Sequence, residues 1–426
     1  MAVIPLHQAR ERVPRTTPGR LGVPRSGPAW LRSARARGIG GALLAGGVLA
    51  TVILAGGPGD AAGGTRTDAD GLPHTAVEVS SSGCGRGWTH ARSGTQVFEL
   101  HNTSSAAAEV YLKSPRTGEV YGETEGIGPG TTRRLRVTLG RGAYVFMCLP
   151  DDADAVTGPT VRIGGGGRPG PAAAPLTQHD LIPPALEYQK WVAGGLDGLV
   201  GRTGTLRDAL DRGDLAGARE AWLSAHLAYE RLGAAYGTFG DADQKINGTG
   251  AGLPRGDRDP GFTGFHRIEY GLWHGAPAAS LHAPAGALLA TVRTLRDDWA
   301  QERMDPADLG LRAHEILENT VEFELTGRTD YGSGSNLATA RANIDGTRAV
   351  LSRLHPLLVS RYPGLRKLDD DLDRTRRLLD GFRHGGRWTP PDRLDRARRE
   401  QVNAVFGDLV ERLASVATLC DARRTV

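Results

Sequence analysis

Residues 262–270, Phe-Thr-Gly-Phe-His-Arg-Ile-Glu-Tyr, carry side chains that could hold a metal. An Asp-Pro pair precedes them, and the pattern predicts a helix that begins near Thr263, a residue type common at helix N-caps. Residues three apart share a helix face, so the His266 imidazole and the Glu269 carboxylate point the same way. A neutral imidazole beside a carboxylate supplies half of a transition-metal site.

Two other predicted helices also place His and Glu at helical spacing. His226 and Glu230 lie four residues apart, and residues 311–325 carry a larger set. That set consists of His314, Glu315, Glu318 and Glu322. In helical bundles, inward-facing Glu and His on neighbouring helices form metal sites, as in di-iron carboxylate proteins. The alternative is that these pairs lie on solvated faces, where each contributes roughly 0.2–0.5 kcal/mol.

The zinc-peptidase signatures are absent from these helices. His-Glu-x-x-His and His-x-x-Glu-His both require a second His on the same helix. Tyr270 stands where the inverted signature requires that His, and no His-Glu-x-x-His occurs in the chain. A hydrolase would also need a base beside the metal-bound water, and none is identified. The residues therefore favour metal binding over proteolysis.

The helices that position these side chains are predicted after Pro184. Apolar residues from Leu215 to Leu232 follow the spacing 3, 4, 3, 4, 3, which is typical of an amphipathic helix with one buried stripe. No strand pattern lies between this helix and the C-terminus. Similar helical patterns recur in residues 285–302, 306–325, 337–357, 366–383 and 391–419. We therefore predict that residues 179–426 form an all-α bundle.

The preceding part of the chain has the pattern of a β-domain. Residues 73–163 consist of short alternating runs, such as 96–100 and 134–139, divided by turn residues. This spacing predicts an antiparallel β-sandwich. Residues 164–178 are rich in Gly and Pro and predict a linker, and residues 58–72 predict a flexible spacer.

The chain has three cysteines. In an oxidising compartment Cys84 and Cys148 are candidates for a disulfide, although the sequence leaves their pairing open. Cys420 lies on an apolar helix pattern and is predicted to be a small buried side chain. A blue-copper site needs two His, one Cys and usually a Met. Met147 precedes Cys148, but no His follows within reach, so such a centre is disfavoured.

The N-terminal segment predicts export. Residues 1–37 hold eight Arg and one acid, Glu11, and residues 38–57 form an uncharged run of small and aliphatic side chains. That run predicts either a signal-peptide core or a membrane anchor, and both place the remainder outside the cytoplasm, in the cell envelope or secreted. The net charge of +4 arises in this segment. Since the remainder is slightly acidic, nothing favours nucleic-acid binding.

The order of these landmarks resembles iron-uptake proteins of the EfeO type, which join a cupredoxin-like domain to an imelysin-like helical domain. The resemblance covers about residues 73–423. Its specific points are Gly83-Cys84 and residues 127–130, 144–148, 262–269 and 342–346.

The resemblance implies an extracytoplasmic metal-binding protein of an EfeUOB-like system that works with an iron permease and a haem-type peroxidase. It implies that Fe²⁺ or Fe³⁺ is held by His266 and Glu269 together with Glu230 and Glu318. Ligand type alone leaves zinc or copper as alternatives. We add His226 as a further candidate, because it lies one turn before Glu230.

Three positions depart from the family pattern. Gly233 stands where a second Glu usually follows Glu230, and Asn247 stands where an Asp is expected. Met147 is adjacent to Cys148, whereas the family often has Met two residues before this Cys. A one-residue shift on a strand turns the side chain to the other face, which argues against a copper site that includes Met147.

Three functions follow from these residues. The first is an exported iron carrier without catalytic residues or turnover, tethered to the membrane through its N-terminal segment or secreted. The second is an imelysin-like metal-dependent peptidase. The third is a structural or adhesion module whose His and Glu residues are merely solvated.

Overall fold

The computed structural model describes residues 65–151 and 153–423. The predicted basic segment 1–37, the predicted signal or anchor segment 38–57 and residues 58–64 of the predicted spacer therefore lie outside the described residues. Within the described residues, no helix is both long enough and apolar enough to cross a membrane.

The first part of the described chain forms two sheets. One sheet has the order β1-β2-β3-β6, and the other has the order β5-β4-β7-β8, with β9 paired to β7. The strands are β1 (Thr65–Thr67), β2 (Pro73–Val79), β3 (Gly94–Asn102), β4 (Ala108–Lys113), β5 (Val120–Ile127), β6 (Thr132–Leu139), β7 (Gly142–Pro150), β8 (Val156–Thr157) and β9 (Val161–Ile163).

The strand directions differ from the prediction in one place. Strands β2 and β3 run parallel, whereas the other paired strands of these two sheets run antiparallel. Parallel neighbours cannot be joined by a tight hairpin and need a long connection. Residues 80–93 provide that connection, so the predicted antiparallel sandwich contains one parallel pair.

The two sheets share one apolar core. Phe98 of β3 and Phe146 of β7 meet edge to face at 5.0 Å between ring centroids, and Trp88 lies 4.9 Å from Phe98. Such edge-to-face pairs add to the stabilisation from buried area. A disulfide joins Cys84 to Cys148 inside this core.

Adjacent residues of β7 face opposite sides of their sheet. Cys148 lies in the core between the sheets, whereas Met147 packs with Tyr111 and Leu149 in a separate cluster. The Met147 sulfur lies 3.2 Å from Nζ of Lys113. Met147 and Cys148 therefore cannot bind the same ion, since strand parity separates them.

Part of the predicted spacer 58–72 is a strand. Strand β1 pairs with β2 in the register Thr65↔Thr75, through a turn in which Gly71 has φ +72°. A three-residue strand is too short for its period to be visible in a sequence rich in small residues. The predicted linker 164–178 has no regular secondary structure over most of its length, but Ala173 pairs with Val120 of β5.

The second part of the described chain is helical. Its helices are α1 (Gln178–Asp211), α2 (Leu215–Glu230), α3 (Tyr236–Phe239), α4 (Asp241–Asn247), α5 (Gly264–Trp273), α6 (Ala278–Asp298), α7 (Asp308–Asn319), α8 (Asn336–Leu358), α9 (Leu365–Asp380) and α10 (Arg396–Cys420). Helix α2 buries Ala218, Trp222, Ala225 and Tyr229, the stripe that the apolar spacing predicts.

A short β-hairpin interrupts the helices, where no strand was predicted. Strands β10 (Arg383–His384) and β11 (Arg387–Trp388) are joined by Gly385 and Gly386, whose φ values are +57° and +81°. A Gly-Gly pair supplies the positive φ angles that a two-residue hairpin turn requires. Two residues per strand are too few to show a period.

Helix α5 begins where a glycine is obligatory. Gly264 has φ +74°, and a Cβ at this position would lie 2.2 Å from the carbonyl oxygen of Ile246 in α4. Thr263 occupies the N-cap position as predicted, but its side chain does not cap the helix. Its hydroxyl donates instead to the Lys245 carbonyl at 3.4 Å. The start of α5 is thus packed directly against the end of α4.

Candidate metal centre

Helices α2 and α5 bring two histidines and two glutamates into one buried cluster. His226 and Glu230 come from α2, and His266 and Glu269 come from α5. All four are 6% exposed or less. The two imidazole rings lie 5.4 Å apart between centroids, at an angle of 71°. We call these four residues the His/Glu cluster.

In α5 the imidazole and the carboxylate contact each other. His266 Nδ1 lies 3.3 Å from Oε2 of Glu269. Backbone N–H groups of Tyr331 and Ser333 donate to Oε1 of Glu269, at 3.2 and 3.1 Å. Burial raises the pKa of Glu269, but the hydrogen bond and charge of His266 outweigh it, so the pKa lies below its ordinary value.

The pair on α2 has a similar arrangement with an added amide. His226 Nε2 lies 3.1 Å from Oε1 of Glu230 and 3.2 Å from Oδ1 of Asn247. The Asn247 side-chain N–H donates to the same Glu230 oxygen at 2.8 Å. Burial opposes the charged form of His226, but the bond to Glu230 and its charge raise the pKa above the ordinary value.

One atom of this pair lacks a partner. His226 Nδ1 is buried and has no hydrogen-bond partner among residues 65–151 and 153–423. Because Nε2 faces two oxygens, the neutral tautomer carries its proton there, which leaves a lone pair on Nδ1. A buried polar atom without a partner is uncommon in native structures, and it marks a place for a ligand.

A third carboxylate belongs to the same buried region. Glu324 lies in a π-helical turn, Thr320–Glu324, that continues α7. Thr329 Oγ1 donates to its Oε1 at 2.5 Å, and Asn336 Nδ2 donates to its Oε2 at 2.9 Å. Burial, and secondarily the negative charge of Glu230, raise the pKa of Glu324 to about 7. Glu324 is therefore close enough to couple electrostatically to the cluster.

The structure does not bring Glu318 to the cluster. Its side chain is 58% exposed and lies 3.6 Å from Nε2 of His314. Its neighbours Glu315 and Glu322 pair with Arg312 and Arg328. The acids that show helical spacing in the sequence therefore face away from the cluster, and Glu324 is the carboxylate of this segment that lies near it.

The sequence contains a signal for Glu324. The buried face of α7 carries Leu309, Ala313 and Leu317, and it continues through Thr320. Glu324 lies seven residues after Leu317, on the same face. A carboxylate on an otherwise apolar stripe is predicted to be buried with that stripe, and Glu324 is such a residue. Glu318 lies one residue off the stripe.

Two asparagines complete the surroundings of Glu230. Asn247, where the family pattern has an Asp, links His226 to Glu230 without adding charge. The Asn343 side chain lies between Glu230 and Thr320, and with its nitrogen toward Glu230 it donates to Oε2 at 3.2 Å. Gly233, the other position that departs from the family pattern on this side of Glu230, is closely packed. A Cβ there would lie 3.0 Å from Cγ1 of Ile316.

A separate group of ligand-type atoms lies in the β-domain. Among the described residues, Asp68, His74 and Glu99 form the one set whose ligand atoms all lie within 4.8 Å of each other. His74 is buried, with Nδ1 at 3.2 Å from Glu99 and Nε2 at 3.0 Å from Asp70. The Arg66 guanidinium lies 3.1 Å from Glu99. The sequence prediction missed this set because Asp68 falls in the assumed spacer.

The guanidinium of Arg134 also approaches this β-domain set, at 3.5 Å from Asp68 and 3.6 Å from Glu99. Two arginines therefore already neutralise the carboxylates that an ion would need. The His/Glu cluster differs, because its carboxylates contact imidazoles and amides and no Arg or Lys is bonded to them among the described residues.

Comparison with a family model and with individual relatives gives consistent matches. The Imelysin family model, Peptidase_M75, matches residues 185–416. "Iron uptake system component EfeO" of Yersinia pseudotuberculosis is 27% identical over 351 residues, covering 81% of this chain and 90% of that protein. The protein of the same description from Yersinia pestis is 28% identical over 328 residues, covering 76% and 85%.

A third relative, from Escherichia coli O157:H7, has the same description. It is 25% identical over 351 residues, covering 81% of this chain and 91% of that protein. These alignments are longer than the family match, so they extend beyond the helical part of the chain. Together they confirm the resemblance predicted from the sequence.

Proposed function

Since this chain belongs to the imelysin family, we propose that it is the iron-binding component of an extracytoplasmic iron uptake system. The His/Glu cluster and Glu324 would hold the iron, which is the cargo of the protein. The observation that carries this proposal is the buried Nδ1 of His226, which has no partner among the described residues.

Each histidine of the cluster has the arrangement of a metal ligand. His226 and His266 each direct one ring nitrogen at a carboxylate. A carboxylate on one nitrogen orients the ring and makes the other nitrogen a better ligand. The relatives named as iron uptake components support iron as the ion.

The charge of the buried region also favours a cation. Glu230, Glu269 and Glu324 are 9% exposed or less, and among the described residues no Arg or Lys side chain is bonded to any of these three carboxylates. Burying unpaired negative charge is costly, so the metal-free protein must take up protons. Fe²⁺ or Fe³⁺ would supply the missing positive charge and displace those protons.

The pairing within the cluster suits a carrier that releases its ion. In the structure His266 contacts Glu269, and Glu230 contacts both His226 and Asn247. These internal partners would take the place of the metal at Glu230 and Glu269 as it leaves, so that release does not leave those two carboxylates unpaired. A protein that passes iron on to a permease needs this reversibility. We therefore propose a carrier without turnover of its own, acting with a permease and a haem-type peroxidase.

The disulfide supports the extracytoplasmic location. Cys84 and Cys148 are bonded in the core of the β-domain. Disulfides persist in oxidising compartments and are rare in the cytosol. This agrees with the export signal predicted in residues 38–57, for which a cleaved signal peptide and a retained anchor both stay open.

Metal analysis of the purified protein tests the proposal. We expect about one iron per chain after incubation with ferrous sulfate under anaerobic conditions, and loss of that iron in His266→Ala and Glu269→Gln. Glu318→Gln is the matched control, because Glu318 is exposed on α7 and lies outside the cluster. Equal iron in all four proteins would overturn the proposal.

A second candidate function is proteolysis, which the printed name of the family model favours. Residues 266–270 lack the second His that the zinc-peptidase signatures require, which argues against this function. Incubation with casein, with and without a chelator, separates the two functions. Chelator-sensitive cleavage that is abolished in Glu269→Gln would establish a peptidase.

A further inference from the structure

A groove of about 1060 Å³ lies beside the His/Glu cluster. It is lined by residues of α2, α8 and the β10–β11 hairpin and by the loop before α8. Its volume is at the upper end of small-molecule sites in proteins.

The groove and the His/Glu cluster share two walls. Trp222 lines the groove, and its indole ring stacks on the imidazole of His226 at 4.9 Å between centroids. Ser333 also lines the groove, and its backbone N–H donates to Glu269 at 3.1 Å. A molecule in the groove would therefore touch residues that themselves contact His226 and Glu269.

The lining of the groove is basic. It contains the arginines 219, 231, 341, 383 and 387 against the acids Glu220, Asp345 and Asp380, which gives five positive and three negative side chains. The remainder of the chain after residue 64 is slightly acidic, so this surface concentrates positive charge. Anionic ligands are the class that such a surface attracts.

Two of the arginines are free to bind a ligand. These are Arg383 and Arg387, which are exposed on the hairpin and whose guanidinium groups have no ion pair or hydrogen bond within the described part of the chain. By contrast, Arg219 donates to the Leu272 carbonyl, and Arg341 pairs with Asp380 at 2.9 Å. A free guanidinium presents a planar fork of donors that matches a carboxylate.

A second groove continues the basic surface along α2. It has a volume of about 690 Å³ and shares Ser224, Leu227 and Arg231 with the first groove. Lys190 and Arg202 add two more positive side chains, and no acidic residue lines this part. The basic surface therefore has room for a ligand larger than a bare ion.

From the shared walls, the charge and the free guanidinium groups, we propose that the groove binds iron as an anionic polycarboxylate chelate, with Arg383 and Arg387 contacting the carboxylates. The proposal rests on the proposed iron-carrier function and names the form in which the ion arrives. The chelate would dock beside Trp222, and the ion would exchange into the His/Glu cluster while the chelator stays outside.

Ferric citrate is the probe for this proposal. Trp222, Trp273 and Trp388 line the groove, so intrinsic fluorescence reports binding there. The test variant is Arg383→Glu/Arg387→Glu. The matched control is Arg293→Glu/Arg366→Glu, which makes the same charge change at exposed residues outside the groove. Circular dichroism and thermal unfolding of each protein show that the variants are folded.

We expect the test variant to bind ferric citrate at least about tenfold more weakly than wild type, while the control binds like wild type. Binding of Fe²⁺ from ferrous sulfate without chelator should be the same in all three proteins. Equal affinity of test variant and wild type for ferric citrate would overturn the proposal for the groove.

Two other results distinguish the chelate proposal from the iron-carrier proposal and from a docking site for an acidic protein segment. Failure of wild type to bind Fe²⁺ would overturn the iron-carrier function itself, whatever the groove binds. If a poly-glutamate peptide binds with the same dependence on Arg383 and Arg387 while ferric citrate does not bind, the groove is a docking site for an acidic protein segment and the chelate proposal is wrong.

Discussion

His226 Nε2 lies 3.1 Å from Oε1 of Glu230, one turn later on α2, while the opposite ring nitrogen is buried without a partner among the described residues. The relationship fixes which nitrogen carries the proton in the neutral ring. The other ring nitrogen, Nδ1, then carries a lone pair, and the His266 imidazole lies 5.4 Å from this ring between centroids. A buried ring nitrogen without a partner among the described residues is uncommon, and it marks a position for a ligand.

Replacing this histidine should weaken iron binding. His226→Ala removes one predicted ligand and the partner of Glu230, so we expect affinity for Fe²⁺ to fall by at least about tenfold. Calorimetric titration under anaerobic conditions measures the change. His314→Ala is the matched control, because His314 lies on α7 beside Glu318 and not in the cluster. Unchanged affinity in His226→Ala would exclude this ring as a ligand.

The stability of the metal-free protein should depend on Glu324. Its pKa is raised from 4.5 to about 7 in the folded protein, so its contribution to the free energy of unfolding is fully present below pH 4.5 and is lost as the pH rises through 7. At about 1.4 kcal/mol per pKa unit, the loss is on the order of 3 kcal/mol.

Glu324→Gln removes this titration. Relative to wild type, the metal-free variant should gain stability between pH 5 and pH 8, as measured by urea unfolding at several pH values. Glu322→Gln, at an exposed position two residues earlier, should follow the wild-type curve. Parallel curves for Glu324→Gln and wild type would show that Glu324 is not held protonated by its surroundings.

The disulfide should stabilise the β-domain without affecting the cluster. Cys84→Ser/Cys148→Ser removes a bond in the core of the sandwich, and we expect a loss of roughly 2–5 kcal/mol in the free energy of unfolding. Iron binding by the helices should be unchanged. A fall in iron affinity at a temperature where the variant is folded would show that the β-domain takes part in holding the ion.

Most of the helices and strands can be predicted from the periodicity of apolar residues in the sequence. The stripe from Leu215 to Leu232 predicts α2 because a long helix repeats its signal several times. Strand β1 and the hairpin at Gly385 were missed for the opposite reason, since two or three residues cannot display a period. The parallel pairing of β2 with β3 is set by long-range packing of the sandwich, which local spacing does not encode.

The residues of the candidate metal site can be predicted only in part from the sequence. His266 and Glu269 share one helix face, and spacing is sufficient to find such a pair. Glu318 was predicted from family position and spacing, but which face of α7 turns inward is decided by its apolar residues, and these place Glu324 inside. The contact of Asn247 with Glu230 depends on how α4 packs against α2, so it required the structure.

Asn247 is the position at which the affinity of the site can be raised. Its amide donates to Glu230 and accepts from His226, so it satisfies both groups without adding charge. Asn247→Asp would place a second carboxylate 2.8 Å from Glu230, where no N–H separates the two. In the metal-free protein like charges at this distance repel, and one of the pair must take up a proton.

We therefore expect Asn247→Asp to have opposite effects on the metal-free and metal-bound protein. Its melting temperature without metal should fall below that of wild type at pH 8, and its affinity for Fe²⁺ should rise by about tenfold, because the cation relieves the repulsion. Asn247→Ala, which removes the amide without adding charge, should lower stability and leave affinity unimproved. If Asn247→Asp is destabilised to the same degree with saturating iron as without it, the ion does not bind next to Glu230, and the cluster on α2 is structural.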